Sequence, residues 1–273
     1  SDIKNKVNKN DNILSFNLKG LLSGTVSITL KDKNTKASLN EIKREFELLI
    51  NRYISCENQN NKFGIDKSLI GVSDYIIEIE KFIHQVTDSQ KNILIEGDYG
   101  CEKLTLASAI HYNSKQHNEF YELNCERLAV YKNAPRYIEK IALIESGTLF
   151  INHIDLLCPL LQNKLLDCLF IIKDKVRLMV SSTKNLSQEV EKGKFCSNLF
   201  FYINDLNIKL PRLSERKEDI PHILDAMINQ HDADKKLSNE VINLLTEYSW
   251  PENLSELESV IYKLIKLSKN RTI

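Results

Sequence analysis

At 273 residues, with 42% hydrophobic and 27% charged side chains, the chain can bury a sizeable core and is too apolar on average to be disordered throughout. Lys plus Arg and Asp plus Glu both number 37, so overall charge marks neither a nucleic-acid face nor an acidic partner. No apolar run approaches the roughly 20 residues a membrane span needs, and nothing at the N-terminus reads as a signal peptide, so a cytoplasmic protein without membrane attachment is expected.

In chain order, residues 1–12 are polar and are expected to fray or to act as a linker. Residues 13–20 and 25–32 read as two strands around a turn at 19–24. Residues 38–54 read as a helix, with Ile42, Phe46, Leu49, Ile50 and Tyr53 at helical spacing. The polar segment 55–67 reads as a linker. Beyond it, the short apolar runs 92–97, 119–124, 147–152 and 176–182 predict buried strands, with helices over 75–86, 103–112 and 159–172 between them. Such alternation predicts an α/β fold with a parallel sheet. After residues 206–213, three helices are expected over 219–230, 237–248 and 253–267, the last capped by Asn253 with Glu256 three residues on. The expected domains are 1–60, 68–212 and 213–273.

Six cysteines (Cys56, Cys101, Cys125, Cys158, Cys168, Cys196) lie scattered without a CxxC pair, as in a reduced cytosolic protein. The six histidines are equally dispersed, and no metal site is expected.

The run 92–97 leads through Gly97-Asp98-Tyr99-Gly100-Cys101-Glu102-Lys103-Leu104 into a helix. A phosphate-binding loop at such a turn reads G-x-x-x-x-G-K-[ST]: glycines let backbone N–H groups wrap the phosphates, Lys reaches the terminal ones, and the hydroxyl holds Mg²⁺. Gly97, Gly100 and Lys103 are present. Glu102 replaces the second glycine and Leu104 the hydroxyl, while Thr105 comes one residue late. A carboxylate there repels a triphosphate, and Lys103 is free to pair with Glu102 or another carboxylate. A strand–turn–helix without nucleotide is therefore the preferred reading.

Ordered landmarks over about residues 68–270 resemble the AAA+ domain of NtrC-type, sigma-54-dependent activators. They are Ile70-Gly71-Val72-Ser73, the 97–104 loop, Ala109-Ile110-His111, Asn124-Cys125, Gly147-Thr148-Leu149-Phe150, and Leu161-Gln162-x-Lys164-Leu165-Leu166. Leu210-Pro211-Arg212-Leu213-x-Glu215-Arg216-Lys217-Glu218-Asp219-Ile220-Pro221 and Trp250-Pro251-Glu252-Asn253-Leu254-x-Glu256-Leu257-Glu258 complete them. The resemblance implies an AAA+ P-loop-type parallel sheet with flanking helices, a C-terminal helical lid, and a small N-terminal α+β segment in front. It places the remnant of a nucleotide site at Ile70, Gly71, Gly97, Gly100, Glu102 and Lys103.

The same resemblance implies that the hydrolytic parts are missing. Asn152 and His153 stand where the Walker B strand should end in two acidic residues, and Asp155 comes two residues later. Thr183 takes the sensor asparagine's place, Cys196 and Tyr202 those of the arginine fingers, and Ser255 that of the lid arginine. Only the 21 residues from Glu126 to Ser146 separate Cys125 from Gly147, and they lack the GAFTGA loop that grips sigma-54.

The expectation is a pseudo-ATPase: a non-catalytic regulatory module of a bacterial transcription regulator, sigma-54-independent, acting by oligomerisation, as a homodimer, with ligand sensing in the old crevice. It needs no cofactor. One alternative is a switch that binds ATP, another nucleotide or a cyclic dinucleotide without hydrolysis; another is an adaptor for RNA polymerase or a second regulator. An ATPase with relocated acidic residues is the least favoured. DNA contact is expected only through a further C-terminal domain outside this chain. Residues 1–60 resemble the end of a GAF-like module, less closely that of a receiver, with a dimerisation element as the plain alternative.

Overall fold

The computed structural model describes residues 5–7, 13–18, 24–29, 69–114, 119–130, 133–232, 234–268 and 270–273. The chain divides into two compact units, Ser1–Ile54 and Ser55–Ile273.

In the first unit, β1 (Asn5–Val7), β2 (Ile13–Leu18) and β3 (Gly24–Thr29) form an antiparallel sheet in that order. Asn5 stands opposite Phe16, Ile13 opposite Thr29 and Leu18 opposite Gly24. The two expected strands pair as a hairpin over the described residues. At residues 5–7 the third strand corrects the expectation of fraying or a linker: polar composition hid it, because backbone pairing requires no apolar side chain. The helix expected over 38–54 and the linker over 55–67 lie outside the described residues.

The second unit begins with α1 (Asp74–Val86), then β4 (Ile93–Glu96), α2 (Lys103–Tyr112) and β5 (Phe120–Asn124). Two short helices follow, α3 (Cys125–Val130) and α4 (Ala134–Glu139), and lead to β6 (Gly147–Asn152). Next come α5 (Pro159–Ile172), β7 (Val176–Ser182), α6 (Leu186–Glu191), α7 (Ser197–Ile203) and β8 (Leu206–Lys209). The strands form one parallel sheet in the order β5-β6-β7-β4-β8.

Side chains of the central strands alternate between two cores. Leu149, Ile151, Leu178, Val180 and Leu94 pack with Leu165 and Leu169 of α5. Phe150, Met179, Ile93 and Ile95 pack with Ile76, Ile79 and Ile83 of α1 and with Leu106 and Ile110 of α2. Helices covering both faces explain why these strands read as continuous apolar runs, not alternating ones.

Past β8, α8 (Ile220–His231), α9 (Asn239–Glu247) and α10 (Asn253–Leu267) make the lid around a third core, with Leu213, Ile223, Leu224, Trp250, Leu257 and Ile261. Ser238 caps α9 by accepting from the Val241 N–H. Asn253 does not cap α10 as expected: it is that helix's first residue, with φ +53°. Its side chain points back, Oδ1 accepting from the Leu213 N–H at 2.8 Å and Nδ2 donating to the Tyr99 carbonyl at 2.8 Å. Among the described residues no helix is long and apolar enough to cross a membrane.

Candidate functional site: the crevice at the strand ends

The carboxyl ends of β4, β6 and β7 lie side by side, so the turns after Glu96, Asn152 and Ser182 face one another. In open parallel sheets this edge is where ligands bind.

The turn after β4 keeps the shape of a phosphate loop. Gly100 has φ +76°, and Glu102, just before α2, has φ +58°, in the left-handed region that costs a side-chain-bearing residue about 1–2 kcal/mol. That conformation is why a glycine suits position 102, and the fold holds it with Glu102 in place. The carboxylate is drawn aside to Arg216, whose NH2 donates to Oε2 at 2.8 Å, and the guanidinium is almost wholly buried.

Lys103, also buried, donates from Nζ to the carbonyls of Gly97 (2.8 Å) and Asp98 (2.6 Å). The sequence leaves Lys103 free to pair with Glu102 or another carboxylate; both of these bonds go to backbone carbonyls instead. Burial pulls the Lys103 pKa down, while the nearby Asp155 and Asp98 carboxylates oppose the change. Burial also pushes the Cys101 thiol up to about 11, so it is a packing residue here, not a nucleophile.

Gly71 is packed so tightly that an added Cβ would lie 2.3 Å from Cγ of Asp219. The Asp219 carboxylate is fully buried; it accepts from the Val72 and Ser73 N–H groups (2.6 and 2.7 Å) and the Ser73 hydroxyl (2.7 Å). Ile70 is half-buried against the lid core. Residues 70–73 are thus clasped from the lid side.

At the end of β6, Asn152 is bonded on both sides. Its Oδ1 accepts from the Ser181 hydroxyl at 2.6 Å, and its Nδ2 donates to Glu122 at 3.3 Å. His153 turns the chain at φ +58°, its N–H donating to Ser181 Oγ at 3.1 Å. Its ring stacks on the half-exposed Tyr99 ring, with centroids 6.0 Å apart. Burial, then the Lys103 ammonium, lowers the His153 pKa, with the carboxylates of Asp155, Glu126 and Glu122 opposing. Asp155 lies past the strand in a 3-10 turn and accepts from the Thr183 N–H (3.0 Å) and hydroxyl (2.7 Å).

The remaining candidates fall elsewhere. The Cys196 N–H donates to Gln162 Oε1 at 2.8 Å, and the Tyr202 hydroxyl donates to the Leu169 carbonyl at 3.2 Å while its ring meets Phe170 edge-on. Both belong to the α5–α7 packing, away from the loop. Ser255 lies beside it: its Oγ would be 3.1 Å from a Cβ at Gly100. Lys103, Asn152, His153 and Thr183 therefore gather at the carboxyl edge of the sheet, and Ser255 borders the loop from the lid. Sequence reading missed Arg216 and Asp219, which it used only as landmarks; a buried-charge role has no periodic signature. Among the described residues no group of side chains is arranged to hold a metal ion.

Residues 70–213 match the family described as "Sigma-54 interaction domain" and residues 214–273 the "AAA+ ATPase lid domain". The chain belongs to the sigma-54 interaction domain family. Similar curated proteins include the Nif-specific regulatory protein of Azotobacter vinelandii, 28% identical over 247 residues, covering 78% of this chain and 47% of that protein. The Nif-specific regulatory protein of Klebsiella pneumoniae is 29% identical over 242 residues, covering 77% and 46%. The chain spans about half the length of these relatives. Among solved structures, NtrX from Brucella abortus in complex with ADP superposes with a TM-score of 0.66 at 22% identity, over 88% of this chain and 60% of that one. NtrX in complex with ATP gives 0.65 at 22%, over 88% and 61%. The fold is that of the AAA+ P-loop proteins of the sigma-54 interaction family: a five-stranded parallel sheet with flanking helices and a helical lid.

Proposed function

We propose that this chain is the AAA+ module of a transcription regulator and that it controls its partners without hydrolysing ATP. One observation carries the reading. Phosphoryl transfer needs a carboxylate for Mg²⁺ and another to orient water at the end of β6. The side chains there are an amide locked between Ser181 and Glu122 and a histidine stacked on Tyr99. Asp155, the carboxylate that follows in the turn, is occupied by Thr183. The absence of arginine at Cys196, Tyr202 and Ser255 supports the same reading. The short stretch between Cys125 and Gly147, without a GAFTGA sequence, supports action independent of sigma-54. A homodimer is the working assembly, with RNA polymerase or a second regulator as its partner and DNA reached through a further domain. Purified protein incubated with MgATP should release phosphate only at the buffer rate. Turnover that Lys103→Ala abolishes would overturn this reading.

A second reading, a nucleotide-binding switch without hydrolysis, is favoured by the loop itself. Its left-handed turn and its lysine at the start of α2 persist, and the similar NtrX structures are complexes with ADP and ATP. Thermal-shift titration with ADP, ATP and a cyclic dinucleotide separates the two readings: a ligand at 100 times its Kd stabilises by about 2.7 kcal/mol.

A further inference from the structure

Four residues of the loop are each tied to the lid or to the strip leading into it. Asp98 forms an ion pair with Arg212, and the Tyr99 carbonyl accepts from Asn253 Nδ2 at 2.8 Å. The Gly100 carbonyl accepts from the Leu254 N–H at 3.3 Å, and Glu102 takes the Arg216 NH2 at 2.8 Å. The approach is so close that a Cβ at Gly100 would lie 2.2 Å from the Glu252 carbonyl oxygen.

These ties differ in kind. The Asp98–Arg212 pair is largely exposed, so solvent weakens it. Tyr99 and Gly100 contribute single neutral bonds. The Arg216 side chain is 4% exposed and its Nε has no hydrogen-bond partner; Asp219 stands 3.9 Å from NH1, beyond hydrogen-bonding distance. Asp219 is a second, longer-range counter-ion, and Glu102 supplies the hydrogen-bonded one; losing the bonded partner of a buried guanidinium is destabilising, so the Arg216 site in the closed arrangement depends on Glu102. Asp219 in turn grips Val72 and Ser73, so one line of charge, from the partly buried Glu102 through the buried Arg216 and Asp219, joins the loop, the edge of the lid and the segment 70–73.

We propose that Glu102 and Arg216 form a latch that closes the lid on the phosphate loop with no ligand bound. The anion comes from the chain itself, at the position that a phosphate-binding loop reserves for glycine. The lid is thereby held in a closed state that does not depend on nucleotide, and anything that enters the crevice must first break the pair. The latch does not rest on the absence of hydrolysis, since its readout is motion and not turnover.

Amide hydrogen exchange on the intact chain tests it. Glu102→Gln keeps the shape of the side chain and removes its charge. Exchange over residues 98–102 and 250–257 should rise about tenfold or more, the scale of losing a charge-assisted bond. Exchange in β6 and β7 should stay unchanged. Arg216→Met removes the other partner, and in the double variant the two effects should fail to add by about tenfold. Unchanged exchange in Glu102→Gln, a rise spread evenly over sheet and lid, or additive effects in the double variant would each overturn the latch. If Arg216→Met does not fold, the Glu102→Gln pattern alone decides.

Discussion

The turn after β4 and the turn after β6 lie at the same carboxyl edge of the sheet, and they are held in different ways. The first is defined by its backbone: Gly100 and Glu102 hold left-handed conformations and Lys103 stands at the start of α2. The second keeps its strand, but the side chains at its end bond to each other and to β7, through Asn152, Ser181, Asp155 and Thr183. Backbone shape at the first turn is held from outside, by contacts to the lid and by the Lys103 bonds to its carbonyls, so it accommodates a side chain at the left-handed position 102. Chemistry at the second turn resides in individual side chains, and each replacement changes it outright.

If the first turn is held from the lid side, the largest effect should come from the residue that anchors that side. Asp219→Ala leaves the Val72 and Ser73 N–H groups without their buried acceptor and removes the carboxylate that stands 3.9 Å from Arg216. A loss of about 3–5 kcal/mol of unfolding free energy is expected, read from urea titration. A loss under about 1 kcal/mol would mean that the 70–73 segment is not held by Asp219.

Next in size, Gly100→Ala combines φ +76° with a Cβ 2.2 Å from the Glu252 carbonyl oxygen and should cost roughly 2–4 kcal/mol. Gly193→Ala shares the positive φ (+67°) and meets nothing within 4 Å, so it should cost only about 1–2 kcal/mol. The difference between the two variants measures lid contact free of backbone strain. Equal losses would show that the lid does not press on the loop.

Much of this was readable from residues alone, for a physical reason. The runs 147–152 and 176–182 became β6 and β7 without a shift, because strands covered on both faces are continuously apolar. The helices over 103–112 and 159–172 also fell as expected. The short helices between Cys125 and Glu139 and between Leu186 and Ile203 were not anticipated; at six or seven residues they are too brief to display a period. Asn253 looked like a cap because its spacing to Glu256 is right; its use as a bridge between Leu213 and Tyr99 depends on residues 40 and 154 positions away. Arg216 and Asp219 were hidden for the same reason, since only the fold brings them to the loop.

The second turn offers a smaller test. Asn152→Asp restores the carboxylate that the family resemblance implies at that position. In this setting it also exchanges a donor to Glu122 for a like charge. Glu122 is exposed, so the repulsion is screened, and a loss of about 1 kcal/mol at pH 7 is expected. A gain in stability would show that the turn still favours a carboxylate there.

The smallest effect concerns acid. In the folded chain the imidazolium of His153 is disfavoured by burial and by the Lys103 ammonium, so its pKa lies below that of an unfolded histidine, about 6.5. The unfolded state therefore takes up the proton first as pH falls through that value. Stability present above about pH 6.5 is lost progressively below it, down to the lowered folded pKa, because the slope follows the excess of protons bound by the unfolded chain. His153→Gln keeps a polar side chain, cannot be protonated in this range, and should flatten that part of the profile. Urea midpoints at pH 7.5 and 5.5 give the comparison, with the wild type expected to lose more stability between them than the variant. Equal losses would mean that His153 is as easily charged in the crevice as in the open chain. Its stacking on Tyr99 beside the Lys103 loop would then not exclude a second positive charge, and the two turns would be electrostatically independent although they face the same space.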